Sequence, residues 1–502
     1  MGHVGTTPTI HLSADRATGN FWVDTGLVVL LERFGEGEHE LQQVLGWLQS
    51  QLLQPSGNKG EYFDETSGQI REYDKINWVY PTNLFIKVSG QAPKTKINGK
   101  DYFLHPPRFE LSLKLGKKPD TCDLCGERAP LTDATMWMYP FVVDPQKFGT
   151  FYPGTRRGLK LCARCALAGL AGYLGWLWKA QGRDALHFFI FHSDLREMRR
   201  LHREVLQPLR VKGEKGGTAP VAFAGPYVNE TTLGLLLHLF QHVRQSDVLS
   251  DEARQLLAAL LGATAAPPAP ITLYAVTGTP GQAFQMKALR EFSKLQRLYR
   301  LYEGWLEVIR QRGIDPNPHQ RLVRIWSQFW VQQGRERESI WRERIAWALL
   351  EFGDPTPFVE QFLFEARARE ENPRPLVRGT LEVLNQYLRE VFHMNEQFQR
   401  TLAGFGHSLG TAAQQQGEMG LLYALRNAKN PENFYRVLND AQFRLQVTVP
   451  EALLRIEKGE RIAGAPWVRV KTLLSIYAMN AYLRGGRGEG ASASIIESTV
   501  SE

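Results

Sequence analysis

Four cysteines stand in two pairs, Cys122-Asp-Leu-Cys125 and Cys162-Ala-Arg-Cys165, and no fifth cysteine is left over. Two intervening residues let a chain fold over so that both sulfurs reach one ion. Two such knuckles supply the four thiolates that tetrahedral Zn2+ prefers. Gly126 follows the first pair and can relieve the tight turn, while Lys160 and Arg164 flank the second and would help hold thiolates deprotonated. The 36 residues from Gly126 to Leu161 exceed a minimal ribbon and imply an insertion between the knuckles. The plainer alternative is four buried cysteines that happen to pair up. A redox role would need only one such pair beside a βαβ unit. A four-thiolate site has no open position for substrate, so the expected Zn2+ is structural.

Among other reactive groupings, there is no Walker A loop and no Gly-x-Gly-x-x-Gly after a strand. His192-Ser193-Asp194 reads as the end of a core strand, and Glu365, Glu370 and Glu371 lie among arginines as surface ion pairs. The expectation is a chain that is not an enzyme.

These residues need elements to position them. The chain has 502 residues, 43% of them hydrophobic, enough for two to four domains without a special folding device. The nearest candidate for a membrane span, the 14 residues from Cys165 to Trp178, is too short to cross a bilayer and reads as a buried helix. No secretory signal opens the chain, so a cytoplasmic location with reduced thiols is expected.

The opening Thr18-Gly-Asn-Phe-Trp-Val-Asp-Thr-Gly-Leu27 leads into an apolar helix over about 27–34, which Asp24 or Thr25 can cap. Residues 76–88, 102–104 and 109–115 read as strands. Residues 91–100 form an exposed basic hairpin that turns at Asn98-Gly99. An aromatic-rich stretch, 137–152, surrounds the cysteine module. Gly169, Gly172 and Gly175, spaced i, i+3, i+6, make a smooth helix face that lets another backbone approach closely. His187–His192 reads as a short buried strand. A linker is expected at 262–270, and after about Phe284 the chain reads as helical almost throughout.

Lysine and arginine (60) outnumber aspartate and glutamate (52), for a net charge of +8, which favours polyanionic partners. On a helix beginning near Phe284, Lys287, Arg290, Lys294 and Arg297 would form a straight basic ridge beside an apolar stripe of Leu289, Phe292, Tyr299, Tyr302, Leu306 and Ile309. From Met394 to Arg487 there are 12 basic against 7 acidic residues. Among them are Arg426, Lys429, Arg436, Arg444, Arg461, Arg469 and Lys471. Such a small basic bundle suits single-stranded or duplex nucleic acid. Each of these charges has a solvated face with no partner as its bland alternative.

The opening motif, the two Cys-x-x-Cys pairs and the helical end together resemble the CXXC-CXXC family of large subunits of type I CRISPR surveillance complexes (Cascade), of the type I-B kind. The resemblance implies a non-catalytic subunit beside the 5′ handle of the CRISPR RNA. It implies recognition of a short motif flanking the target in duplex DNA, aid in opening the strands, and contact with the displaced strand through a C-terminal bundle. Partners would be the other Cascade subunits and a recruited helicase-nuclease or transposition machinery. In related systems the bundle is also made alone from an internal start, for which Met394, inside an expected helix, is one candidate. Base readers are expected on the 91–100 loop, at Lys94, Lys96, Asn98 and Lys100. Arg156, Arg157, Lys212 and Lys215 are candidate phosphate contacts, joined by the 287–297 ridge and by Arg426 and Arg436. The alternatives are a zinc-ribbon nuclease acting on nucleic acid and a zinc-containing scaffold that binds only proteins.

The expected fold class is α+β. A mixed α/β domain spans 1–283, with the zinc module at about 105–180. A helical connecting region follows at 284–375, then a small helical bundle at 376–486 and a disordered tail at 487–502.

Overall fold

The computed structural model describes residues 8–78, 93–106, 111, 113–134, 158–181, 184–210, 219–260, 271–279, 285–333 and 336–485. The expected linker at 262–270, the aromatic stretch at 137–152 and the tail beyond 485 lie outside the described residues. The class is mixed α+β, with an α/β N-terminal part and a helical C-terminal part. The chain divides into two compact units, Met1–Pro220 with His242–Gln296, and Val221–Gln241 with Arg297–Glu502. No helix among the described residues is long and apolar enough to cross a membrane.

In the first unit, α1 (Phe21–Phe34) starts six residues earlier than the sequence suggested. Its cap is Asn20, whose side chain accepts from the backbone N–H of Trp22 and Val23 at 3.1 Å each. Asp24 therefore does not cap the helix. It is fully buried in the first turn and accepts from Thr18 N, Thr18 Oγ1 and Gly19 N, tying down the loop before the helix. Thr25 instead donates its hydroxyl to Phe21 O.

The other long buried helix, α3 (Ala163–Gly175), follows the second cysteine pair, and α2 (Leu41–Leu52) packs beside it. The expected smooth face of α3 meets α1. A Cβ on Gly26 of α1 would lie 1.7 Å from Ala168 O, and one on Gly172 of α3 would lie 2.9 Å from the Trp22 ring. The helices cross backbone to backbone because these positions carry no side chain. Trp22 seals the crossing by donating Nε1 to Gly169 O at 2.7 Å, and its ring meets Tyr173 and Trp176 edge-on.

A four-stranded antiparallel sheet covers α1, in the order β10 (Leu177–Gln181), β11 (Asp184–His192), β12 (Ile271–Thr279) and β13 (Gln285–Phe292). Phe189 and Tyr274, opposite each other on β11 and β12, both pack on Phe21. The buried strand read at 187–192 is the end of β11. The expected helix from Phe284 is not formed, because residues 285–292 pair with β12 and the next helix, Leu295–Gln311, starts later.

A second four-stranded sheet runs β4-β3-β6-β5, with β3 at Leu53–Asp64, β4 at Gln69–Trp78, β5 at Lys94–Ile97 and β6 at Lys100–Phe103. The expected basic hairpin is β5–β6. Its turn residues Asn98 (φ 49°) and Gly99 (φ 79°) are both left-handed, as a two-residue hairpin turn requires. The strand read at 76–88 is the end of β4 as far as Trp78, and the rest lies outside the described residues. No strand forms at 111 and 113–115.

In the second unit, helices surround an aromatic core of Trp305, Trp326, Phe329, Phe362 and Tyr387. Its apolar stripe at Tyr299, Tyr302, Leu306 and Ile309 is buried as expected, whereas Leu289, on β13 of the first unit, is 48% exposed. Val221–Gln241 joins this unit through a buried ion pair. Glu230 meets Arg342 Nε and accepts from Ser339 Oγ, while Arg342 also donates to Ser327 O and Ala224 O. Met394 is not inside a helix. It sits between helices Thr380–Phe392 and Glu396–Gln415, where His393 turns left-handed (φ 53°) and Asn395 caps the second helix.

The helix crossing yields a paired prediction. Gly26→Ala should destabilise the first unit by on the order of 3 kcal/mol, because the new methyl overlaps a backbone oxygen that cannot move alone. Gly46→Ala, on the exposed face of α2 with open space around it, should stabilise by up to about 1 kcal/mol. Denaturant unfolding of both variants measures the contrast.

Candidate metal centre

The first cysteine pair follows β7 (Pro119–Thr121), in a turn that leads into β8 (Arg128–Asp133). Gly126 takes φ 71° and donates to Cys122 O at 3.0 Å, so the turn closes under the pair as expected. Cys122 N donates to Glu127 O at 2.9 Å, completing the knuckle. Cys162 ends β9 (Lys160–Cys162) and caps α3, while Cys165 lies in the first turn of that helix. Pairing of β8 with β9 sets Leu131 opposite Cys162. Asp123 links the knuckles: its N–H donates to Lys160 O and its carboxylate accepts from Lys160 N.

All four sulfurs lie within 4.8 Å of one another. Cys122, Cys162 and Cys165 are buried and Cys125 is half-buried. Four sulfurs about 2.3 Å from one central ion would stand about 3.8 Å apart. The Cys125 and Cys162 sulfurs are 3.7 Å apart and no pair exceeds 4.8 Å, so the four could hold one tetrahedral metal. Backbone N–H groups already point at the sulfurs, from Cys162 to Cys122 Sγ at 3.3 Å and from Cys165 to Cys162 Sγ at 3.5 Å. The helix N-terminus adds a favourable field for thiolate charge.

Without a cation the four thiols must share protons. Hydrogen bonds from Cys162 and Cys165 hold Cys122 below the ordinary thiol range. The bonds of Cys165 to its three neighbours, together with burial, hold Cys165 above it. Four thiolates at once in this volume require a positive ion. Arg164 supplies part of that charge. Its buried guanidinium lies against Cys125, donates to Arg16 O at 3.0 Å and faces Glu127. Lys160 does not help as expected, because its ammonium is paired with Asp133.

Arg16 also pairs with Glu127 at 2.8 Å. The segment leading into the opening motif is thereby bound to the first knuckle, and α1 to the helix that begins at the second. Arg16 and Glu127 escaped the sequence reading, since nothing in their local pattern marks partners more than a hundred residues away.

The candidate nucleic-acid residues are dispersed. Lys94, Lys96, Asn98 and Lys100 are exposed on one hairpin. Lys94 lies over the Phe103 ring, and Lys100 pairs with Glu61 and lies over Tyr102. Arg156, Arg157, Lys212 and Lys215 lie outside the described residues. The ridge of Lys287, Arg290, Lys294 and Arg297 does not exist as a helix face. Lys287 stands at a register shift of β13 and Arg290 further along that strand, Lys294 lies in the connection, and Arg297 sits over Phe352.

The C-terminal charge is largely spent internally. Arg426 is only 16% exposed and pairs with Glu360 and Glu365. Arg444 pairs with Glu418, Arg469 with Asp354, and Lys471 donates to Arg426 O and Ala428 O. Arg436 is exposed and donates to Asn433. Glu370 pairs with Arg367 and Arg374, as the reading of the acidic residues expected. His192 ends β11 with Nδ1 on the backbone of Asp194, which caps the next helix. Among the described residues, the cysteines are the one cluster of His, Cys, Asp and Glu suited to a metal.

No protein-family model matches this chain, and no curated protein matches it.

The pairing of Arg426 generates a pH prediction. Burial pushes the Glu360 carboxyl up to about 7, outweighing the nearby Lys471 and Arg426 charges. A carboxyl raised in the folded state contributes stability below its unfolded value, and that contribution is lost as pH rises through about 7. Glu360→Gln removes this loss. Its stability relative to the parent should rise by roughly 2 kcal/mol between pH 5 and pH 8 in denaturant titrations.

Proposed function

We propose that this chain is the non-catalytic large subunit of an RNA-guided type I CRISPR (Cascade) complex, stapled by one structural Zn2+ on Cys122, Cys125, Cys162 and Cys165. One observation carries the reading. The two sequence signatures of the resemblance, far apart in the chain, meet in one structural element. The opening motif folds as the start of α1, the cysteines bracket the start of α3, and the two helices cross in backbone contact. A shared structural purpose explains why a chain would carry both.

In this role the closed site needs no open coordination position. Zn2+ would neutralise the thiolates and fix both knuckles, and the residues around it would hold α1 and α3 in register. The subunit would bind the 5′ handle region of the CRISPR RNA, read the flanking motif in duplex DNA and aid strand opening. Lys94, Lys96, Asn98 and Lys100 are the described candidates that stand together on one exposed hairpin, which suits insertion at base edges or phosphates. Chemistry on the target would belong to a recruited helicase-nuclease or transposition machinery.

Co-expression with the neighbouring gene products should yield a complex containing this chain and a bound CRISPR RNA. Target duplex should bind that complex about ten-fold or more better with the correct flanking motif than with a scrambled one. Equal binding of both duplexes would remove the recognition role. Cys162→Ser should lower the zinc content of the purified chain well below one per molecule and lower its melting temperature. Unchanged metal and unchanged melting would remove the staple.

A further inference from the structure

The helical unit holds a cavity that the reading above does not use. Its volume is about 160 Å³, and it opens between helices Thr380–Phe392, Glu396–Gln415 and Trp467–Gly485. Clefts between bundle helices are common ligand sites. A cavity of about 150 Å³ is large enough for a benzene-sized ring. This one is mixed, with more apolar than polar lining. Glu382, Asn385, His407, Tyr477, Asn480 and Arg484 supply its polar groups.

The hydrogen bonds of these groups leave a definite pattern unspent. Asn480 is 3% exposed, and its Oδ1 accepts from Leu376 N at 2.8 Å. Its amide Nδ2 donates to nothing among the described residues. Asn385 Oδ1 accepts from the Tyr477 hydroxyl, and its Nδ2 is likewise unspent. Glu382, His407 and Arg484 have no hydrogen-bond or ion-pair partner among the described residues. Burial holds the Tyr477 phenol above its ordinary range, and the nearby Glu382 carboxylate adds to the effect. The cavity thus offers one carboxylate acceptor and two amide donors around a buried ring, with the exposed His407 imidazole and Arg484 guanidinium beside them.

We propose that this cavity binds a guanine base. The carboxylate calls for two adjacent donors, and the N1–H and N2–H edge of guanine presents them. The guanidinium and amides call for adjacent acceptors, which guanine supplies as O6 and N7. Adenine, cytosine and uracil do not combine a two-donor edge with a two-acceptor edge on one ring system. The base could arrive as a free nucleotide or unstacked from a single strand, where bases are read on these same edges. The inference goes beyond the Cascade reading and does not depend on it, since binding is measured on the chain alone.

The test is calorimetry on the full chain with GMP, AMP and IMP, and with short oligothymidylates carrying one central guanine or adenine. GMP should bind about ten-fold or more tightly than AMP, and than IMP, which lacks the 2-amino donor. Glu382→Ala should abolish the preference for GMP over AMP. Tighter binding of the guanine oligomer than of GMP would assign the site to a base within a strand, and the reverse to a free nucleotide. Either result supports the pocket. Equal binding of GMP, IMP and AMP by the parent chain, or no binding of any probe, would overturn it. The comparison of GMP with IMP needs no substitution, so it holds even if Glu382→Ala fails to fold.

Discussion

The backbone contact between α1 and α3 is the constraint on which the first unit depends. Gly26 leaves room for Ala168 O, and Trp22 reaches across to Gly169 O. That contact fixes the start of both helices at once. One start carries Asn20, Asp24 and the folded loop of Thr18 and Gly19. The other carries Cys162 and Cys165. The β10–β13 sheet then closes over the same pair through Phe189, Tyr274 and Phe21. Trp176 extends this layer by stacking on His187, a histidine that burial drives down to about 3 and so keeps neutral. The four-cysteine set is therefore part of the core and not an appendage.

Features with short-range causes were legible in the sequence. The cysteine spacing implied one cluster, Asn98-Gly99 implied a hairpin turn, and three glycines at helical spacing implied a close helix neighbour. Each reports a local geometric demand that few residue types satisfy. The basic ridge failed for the opposite reason. Steps of 3, 4 and 3 in Lys287, Arg290, Lys294 and Arg297 are compatible with a helix. Eight residues are few enough, however, that pairing with Ile271–Thr279 decides the outcome. Asp24 was misassigned because two residues could cap one helix, and Asn20 stands where the cap geometry forms.

Net charge was the least transferable signal. The basic excess after Met394 suggested an open cationic surface. Arg426 instead finds Glu360 and Glu365 more than sixty residues upstream, and Arg469 finds Asp354. A count of charges carries no information on which of them are already paired. The buried pair of Glu230 and Arg342 makes the same point, for it stitches Val221–Gln241 into the helical unit. The polyanion surface we propose thus narrows to the exposed hairpin at 94–100 among the described candidates.

The central claim is a closed four-sulfur metal site at the junction of the two knuckles. X-ray absorption at the zinc edge of the purified chain tests it most directly. Four sulfur scatterers at about 2.3 Å and no nitrogen or oxygen in the first shell are the predicted result. A shell containing nitrogen or oxygen, or a chain isolated without metal and with its cysteines joined as disulfides, would contradict it.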